Sequence, residues 1–248
     1  FMVKFLFHRM EMLMQRRNFI KAVSAGMIGA TGVWRGRTAG KGLLGVFPEG
    51  TLPRRPLGRT EEKLSIIGLG GLVLADESQE TADQLVSEAI DHGINYFDVA
   101  PSYGNAEDRM GPALAPFRKN VFLACKTMKR NAQGAADELH QSLQKLRTDH
   151  FDLYQLHALS KTEEVGEALG PNGALETFAQ ARKEGKIRFI GFSAHSAEAA
   201  LLAMRQFDFD TILFPINFVC FFKGNFGPQV VALAKEKKMG ILALKALA

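Results

Sequence analysis

Cysteine is scarce in this sequence. Only Cys125 and Cys220 occur in 248 residues, and they form no C-x-x-C pair. Zinc sites and redox dithiols built on paired thiols are therefore not expected. Both thiols fall in apolar runs, where inert packing is the ordinary role. A G-x-G-x-x-G turn is also missing. Gly68-Leu69-Gly70-Gly71 comes nearest, and no acidic residue ends a second strand at the spacing that reads a ribose. That argues against a Rossmann sheet. No apolar run spans a membrane comfortably, since Ala22 to Trp34 is short and rich in glycine. The formal charge of +5 is misplaced for nucleic acid. Residues 1–59 carry eleven Lys/Arg against two Asp/Glu, whereas residues 60–248 carry twenty against twenty-four. Binding to nucleic acid needs a basic face on the folded body itself, so none is expected.

The basic excess belongs to an address at the front. Gln15-Arg16-Arg17-Asn18-Phe19-Ile20-Lys21 resembles the twin-arginine export motif, and a weakly apolar run follows it. The resemblance implies the twin-arginine export machinery as a partner. It also implies a periplasmic protein, or one tethered on the outer side of the inner membrane through this segment alone. No Ala-x-Ala cleavage site follows, which leaves the tether open. Residues 1–40 are thus expected as export signal or tether. Residues 41–63 are expected as linker and N-terminal hairpin, with Leu52 to Arg59 rich in Pro and Arg.

From residue 64 onward short runs rich in Val, Ile and Phe alternate with longer amphipathic stretches. Strands are predicted at Leu64–Leu69, Tyr96–Val99, Val121–Lys126, Phe151–Leu156, Ile187–Phe192, Thr211–Ile216 and Gly240–Leu244. Helices are predicted at Gln79–His92, Ala106–Pro116, Gln133–Arg147, Leu175–Glu184, Ala197–Gln206 and Pro228–Lys238. Near-continuous apolar strands alternating with helices predict a parallel sheet buried on both faces. The fold class is α/β, and 64–248 is expected as one barrel.

Three successive strands end in chemistry. Asp98 ends one, Lys126 the next and His157 the one after, with Tyr103 on the loop that follows Asp98. In a (β/α) barrel the C-terminal strand ends form the active-site face. Reducing a carbonyl needs a hydride donor and a proton donor. A phenol is a poor acid at its ordinary pKa of about 10, and a nearby ammonium is expected to lower it. Asp98 would keep Lys126 charged, and His157 would orient the carbonyl. The bland alternative for Asp98 and Lys126 is a structural buried ion pair.

Ile94-Asn95-Tyr96-Phe97-Asp98-Val99-Ala100-Pro101-Ser102-Tyr103-Gly104, Lys126, Phe151-Asp152-Leu153-Tyr154-Gln155-Leu156-His157 and Gly185-Lys186-Ile187-Arg188-Phe189-Ile190-Gly191-Phe192-Ser193 together resemble the aldo-keto reductases. The resemblance covers roughly residues 54–248. It implies a (β/α)8 TIM barrel, a small-molecule carbonyl substrate and NADP or NAD as cofactor. It also implies Asp98, Tyr103, Lys126 and His157 as the catalytic tetrad, with Gly71, Asp98 and Ser193 along the cofactor and no metal. Some positions depart from the family. Ala194 and His195 follow Ser193 where Asn is common, Leu213 stands where many members carry Gln, and Leu244 where many carry an aromatic. Ala248 falls at the seventh strand, so an incomplete barrel that grips its cofactor weakly is expected. The competing readings are a cofactor-binding or regulatory barrel without turnover, and an inactive fragment.

Overall fold

The computed structural model describes residues 52–246. The expected export segment, and the linker up to residue 51, lie outside the described residues.

The chain enters as a small hairpin. β1 (Arg54–Pro56) pairs antiparallel with β2 (Lys63–Ser65), setting Arg55 opposite Leu64. The single strand predicted over Leu64–Leu69 is in fact two pieces, β2 and the separate β3 (Leu69–Gly70). Local polar bonds break the run. The Ser65 hydroxyl donates to the Ile67 carbonyl at 2.7 Å, and the Asn95 side chain accepts the Ser65 N–H at 2.7 Å. Ile66 and Ile67 are left exposed where an unbroken strand would bury one of them.

Six more strands follow: β4 (Tyr96–Asp98), β5 (Phe122–Thr127), β6 (Phe151–Leu159), β7 (Ile187–Ala194), β8 (Thr211–Pro215) and β9 (Gly240–Leu244). β3 through β9 pair in sequence order, every pair parallel, as a curled seven-stranded sheet. β3 and β9 are its edges among the described residues. Helices α1 (Gln79–Asp91), α2 (Ala106–Leu114), α3 (Ala132–Lys145), α4 (Thr162–Leu169), α5 (Ala174–Lys183), α6 (Ala197–Gln206) and α7 (Pro228–Glu236) connect the strands. Ser78, Asn131 and Ser196 cap α1, α3 and α6 by accepting the N–H three residues on. α4 is absent from the sequence expectation. It spans only eight residues, and its start is fixed by Glu164 accepting the Ser160 and Lys161 N–H groups at 2.8 and 3.0 Å.

Strand alternation divides the core into two. Phe97, Cys125, Tyr154, Ile190 and Ile212 face outward into one cluster with Val86, Leu139, Phe178, Met204 and Val230 of the helices. Tyr96, Phe122, Ala124 and Leu153 face inward, joined by Leu57 and Leu64 from the hairpin. The hairpin thus floors the sheet's interior. It also reaches β9, where a Cβ on Gly240 would lie 2.5 Å from Leu57 Cδ1. Leu57→Ala is expected to cost about 2–4 kcal/mol in chemical denaturation. A loss below about 1 kcal/mol would show that the hairpin does not floor the core.

Candidate active site

The same alternation that floors the interior with apolar groups roofs it with polar ones. Asp98 lies two residues beyond Tyr96, Lys126 two beyond Ala124, and Gln155 two beyond Leu153. All point inward at the C-terminal end of the sheet. Lys126 is fully buried and Asp98 is 8% exposed. The two form an ion pair through Asp98 Oδ1. The other carboxylate oxygen, Oδ2, accepts the Tyr96 hydroxyl at 2.9 Å and Gln155 Nε2 at 3.2 Å. Lys126 Nζ also donates to the Val99 carbonyl at 3.2 Å and reaches Tyr103 Oη at 3.5 Å.

Tyr103 enters from the β4–α2 loop, half-buried, with Lys126 Nζ 5.1 Å from its ring centroid. His157, near the end of β6, meets the Tyr103 ring edge-on at 5.6 Å and 85°. Its Nδ1 lies 3.4 Å from Ser102 Oγ. Asp98, Tyr103, Lys126 and His157 therefore stand together. Ser193 on β7 adjoins them, its Oγ accepting the Ala158 N–H at 2.7 Å. That bond leaves its hydroxyl hydrogen free to donate elsewhere. Gly71 follows β3 and packs on the base of the site. A Cβ there would come within 2.8 Å of Val99 Cγ2, so close packing accounts for the glycine.

Tyr96 and Gln155 go unremarked in the sequence reading, although each sits two residues from a singled-out polar group on the same face. The phenylalanines after β8 divide. Phe226 stacks on buried Phe214 at 5.0 Å, while Phe218 and Phe222 stay exposed around a π-helical turn over Val219–Lys223.

Electrostatics assign the protonation states. Burial is the largest single influence and disfavours the Lys126 ammonium, but Asp98 and Tyr103 together more than offset it and the pKa is raised, so Lys126 stays charged. Tyr103 corrects an expectation. Lys126 does pull the phenol down, but burial pushes it up by more, and the net shift is upward. Burial, with Asp98 beside it, holds Tyr96 well above the usual phenol range, so Tyr96 remains a donor to the carboxylate. Burial first and the Lys126 charge second depress His157 to about 4.

A curled parallel (β/α) sheet of the half-barrel kind thus carries, at its C-terminal end, a buried Asp–Lys pair that reaches a tyrosine. The Aldo/keto reductase family profile matches residues 66–248. Aldo-keto reductase YhdN of Bacillus subtilis strain 168 is 30% identical over 191 residues, which is 70% of this chain and 54% of that protein. The uncharacterized oxidoreductase YqkF of the same organism is 32% identical over 155 residues, 57% of this chain and 48% of that protein. The crystal structure of a Pseudomonas aeruginosa protein assigned to the aldo-keto reductases aligns with TM-score 0.70 and 28% identity. That alignment covers 79% of this chain and 78% of the other. The chain belongs to the aldo/keto reductase family. It spans about half the length of the curated relatives it matches.

A His157 titration by NMR is expected to show a midpoint near 4, against about 6.5 for a free histidine. Because the folded pKa is depressed, the neutral ring's contribution to stability is complete above pH 6.5 and is lost as pH falls toward 4. A midpoint near 6.5 would show that His157 is open to water.

Proposed function

We propose that this protein is an oxidoreductase that moves a hydride between a nicotinamide cofactor, NADP or NAD, and a small carbonyl or alcohol substrate. One observation carries the reading: a lysine held charged by a buried carboxylate reaches the hydroxyl of the half-buried Tyr103. When bound, the nicotinamide supplies the hydride. The Ser193 hydroxyl would hold the nicotinamide carboxamide with its free hydrogen, and Leu213 and Leu244, both half-buried, would give the ring an apolar wall.

The residues divide the remaining work. His157 is neutral at pH 7, so one ring nitrogen can donate to the carbonyl oxygen and orient it. Tyr103, its pKa raised, is protonated at pH 7 and ready to give its proton to the developing alkoxide. Lys126 then steadies the phenolate left behind, and Asp98 keeps Lys126 charged and aimed.

Tyr103→Phe is expected to slow carbonyl reduction by about 10²–10⁴ while leaving nicotinamide binding nearly intact. Lys126→Met is expected to slow it as well. Fluorescence titration with NADPH and steady-state rates on an aldehyde check both. An equal loss of cofactor binding in Tyr103→Phe would make that residue structural and sink the reading.

The segment around Arg16-Arg17 is proposed to direct export of the folded protein through the twin-arginine machinery. Replacing both arginines with lysine is expected to stop delivery to the periplasm. Unchanged delivery would refute it.

A further inference from the structure

β6 does not run regularly to its end. Its pairing with β7 is continuous from Leu153 to Leu156 and resumes only at Leu159. Between them Ala158 adopts φ 56°, a left-handed conformation that strains a residue with a Cβ. The peptide joining His157 to Ala158 is cut off from the ladder there, and two buried side chains serve it instead. Arg130 Nη2 donates to the His157 carbonyl at 2.7 Å. The Ala158 N–H donates to Ser193 Oγ at 2.7 Å. Arg130 follows β5 by three residues and Ser193 lies on β7, so the peptide is gripped from both flanking strands.

Arg130 is itself fixed. Its Nη2 contacts Glu164 Oε1 at 3.3 Å, and its carbonyl accepts the Ala174 N–H at 2.7 Å. Yet the side chain is 7% exposed, and its Nε and Nη1 are buried without a hydrogen-bond partner among the described residues. A buried guanidinium with two idle donors is costly. Stability alone gives no reason to place one beside the site.

We propose that Arg130 and Ser193 are positioning residues, which clamp the His157–Ala158 peptide between them and so aim the His157 imidazole at Tyr103 across the mouth of the site. The edge-on approach of the two rings is the arrangement that results. The charged and titratable groups facing His157 are Lys126, Asp98, Arg130, His195 and Tyr103. Arg130 thus adds a second cation, after Lys126, that opposes protonation of the ring. What His157 does rests on the carbonyl-reductase reading; how it is held does not.

Histidine-selective NMR of the full chain, without cofactor, reads the clamp directly. In Arg130→Met and in Ser193→Ala the His157 ring signals are expected to shift while those of His92 and His140 stay put. In Arg130→Met the His157 midpoint is also expected to rise, since one cation beside the ring is gone. Folded variants whose His157 signals do not move overturn the proposal. If Arg130→Met fails to fold, Ser193→Ala decides, because it removes only a hydroxyl. In enzyme that turns over an aldehyde, Arg130→Met is expected to lower kcat/KM on the order of tenfold or more. The NADPH Kd should stay unchanged, and Arg130→Lys should restore part of the loss. An unchanged kcat/KM overturns the positioning role. His157 signals that shift as expected in a protein that reduces no carbonyl uphold the clamp and overturn the catalytic reading instead.

Discussion

A fully buried ammonium persists inside this barrel because a single carboxylate meets it. Removing two charges from water costs several kcal/mol per ion unless geometry and further hydrogen bonds repay it. Here the repayment is visible. Asp98 gives one oxygen to Lys126 and offers the other to Tyr96 and Gln155, while Lys126 spends its remaining donors on the Val99 carbonyl and the Tyr103 hydroxyl. Each partner fixes an element. Tyr96 and Val99 belong to the start of β4 and the loop after it, Gln155 to β6, and Tyr103 to the β4–α2 loop. The pair therefore decides where three segments of the site must sit relative to one another. Breaking it would leave one charge uncompensated in the interior, which costs more than the pair contributes when intact.

Much of this was readable in the residues. The strands from Tyr96 onward are apolar on both faces because helices cover one side and the interior fills the other, so their signal is strong and unbroken. Asp98, Lys126 and His157 stood out because they interrupt that signal at its ends. What escaped notice did so for physical reasons. Ile66 and Ile67 look like strand core, but Ser65 and Asn95 bend the chain away through side-chain bonds that periodicity does not register. α4 starts on polar contacts made by Glu164, in a stretch with little apolar pattern. Arg130 reads as one more charge near a helix start. It is buried against the His157 carbonyl, where the β6–β7 pairing is interrupted, a tertiary contact that local pattern does not register.

At the phenol, burial overrides the neighbouring charge. An adjacent lysine suggests a lowered pKa, and the lysine does act in that direction, but burial is the larger effect. The raised pKa keeps the phenol protonated at neutral pH, as an ordinary phenol also is, and makes it a weaker acid. A proton donor must hold its proton until charge develops on the substrate oxygen, and a phenol above its ordinary pKa does so throughout the neutral range. In the proposed reaction Lys126 would matter most after the transfer, when a phenolate would need a counter-charge already in place and already desolvated.

Floor and roof share strands here, two residues apart on β4, β5 and β6 and four apart on β7. Tyr96 and Asp98, Ala124 and Lys126, Leu153 and Gln155, and Phe189 and Ser193 each lie on one inward face, the first lower in the barrel than the second. The lower members pack with Leu57 and Leu64 from the hairpin. Tyr96 belongs to both levels, its ring in the apolar floor and its hydroxyl on Asp98. A shift of any strand by one residue would turn its inward set outward. It would carry an apolar side chain from the floor and a polar one from the roof out of the interior together. The register that fills the floor is thus the register that assembles the site, so packing at the closed end holds the chemistry at the open end in place.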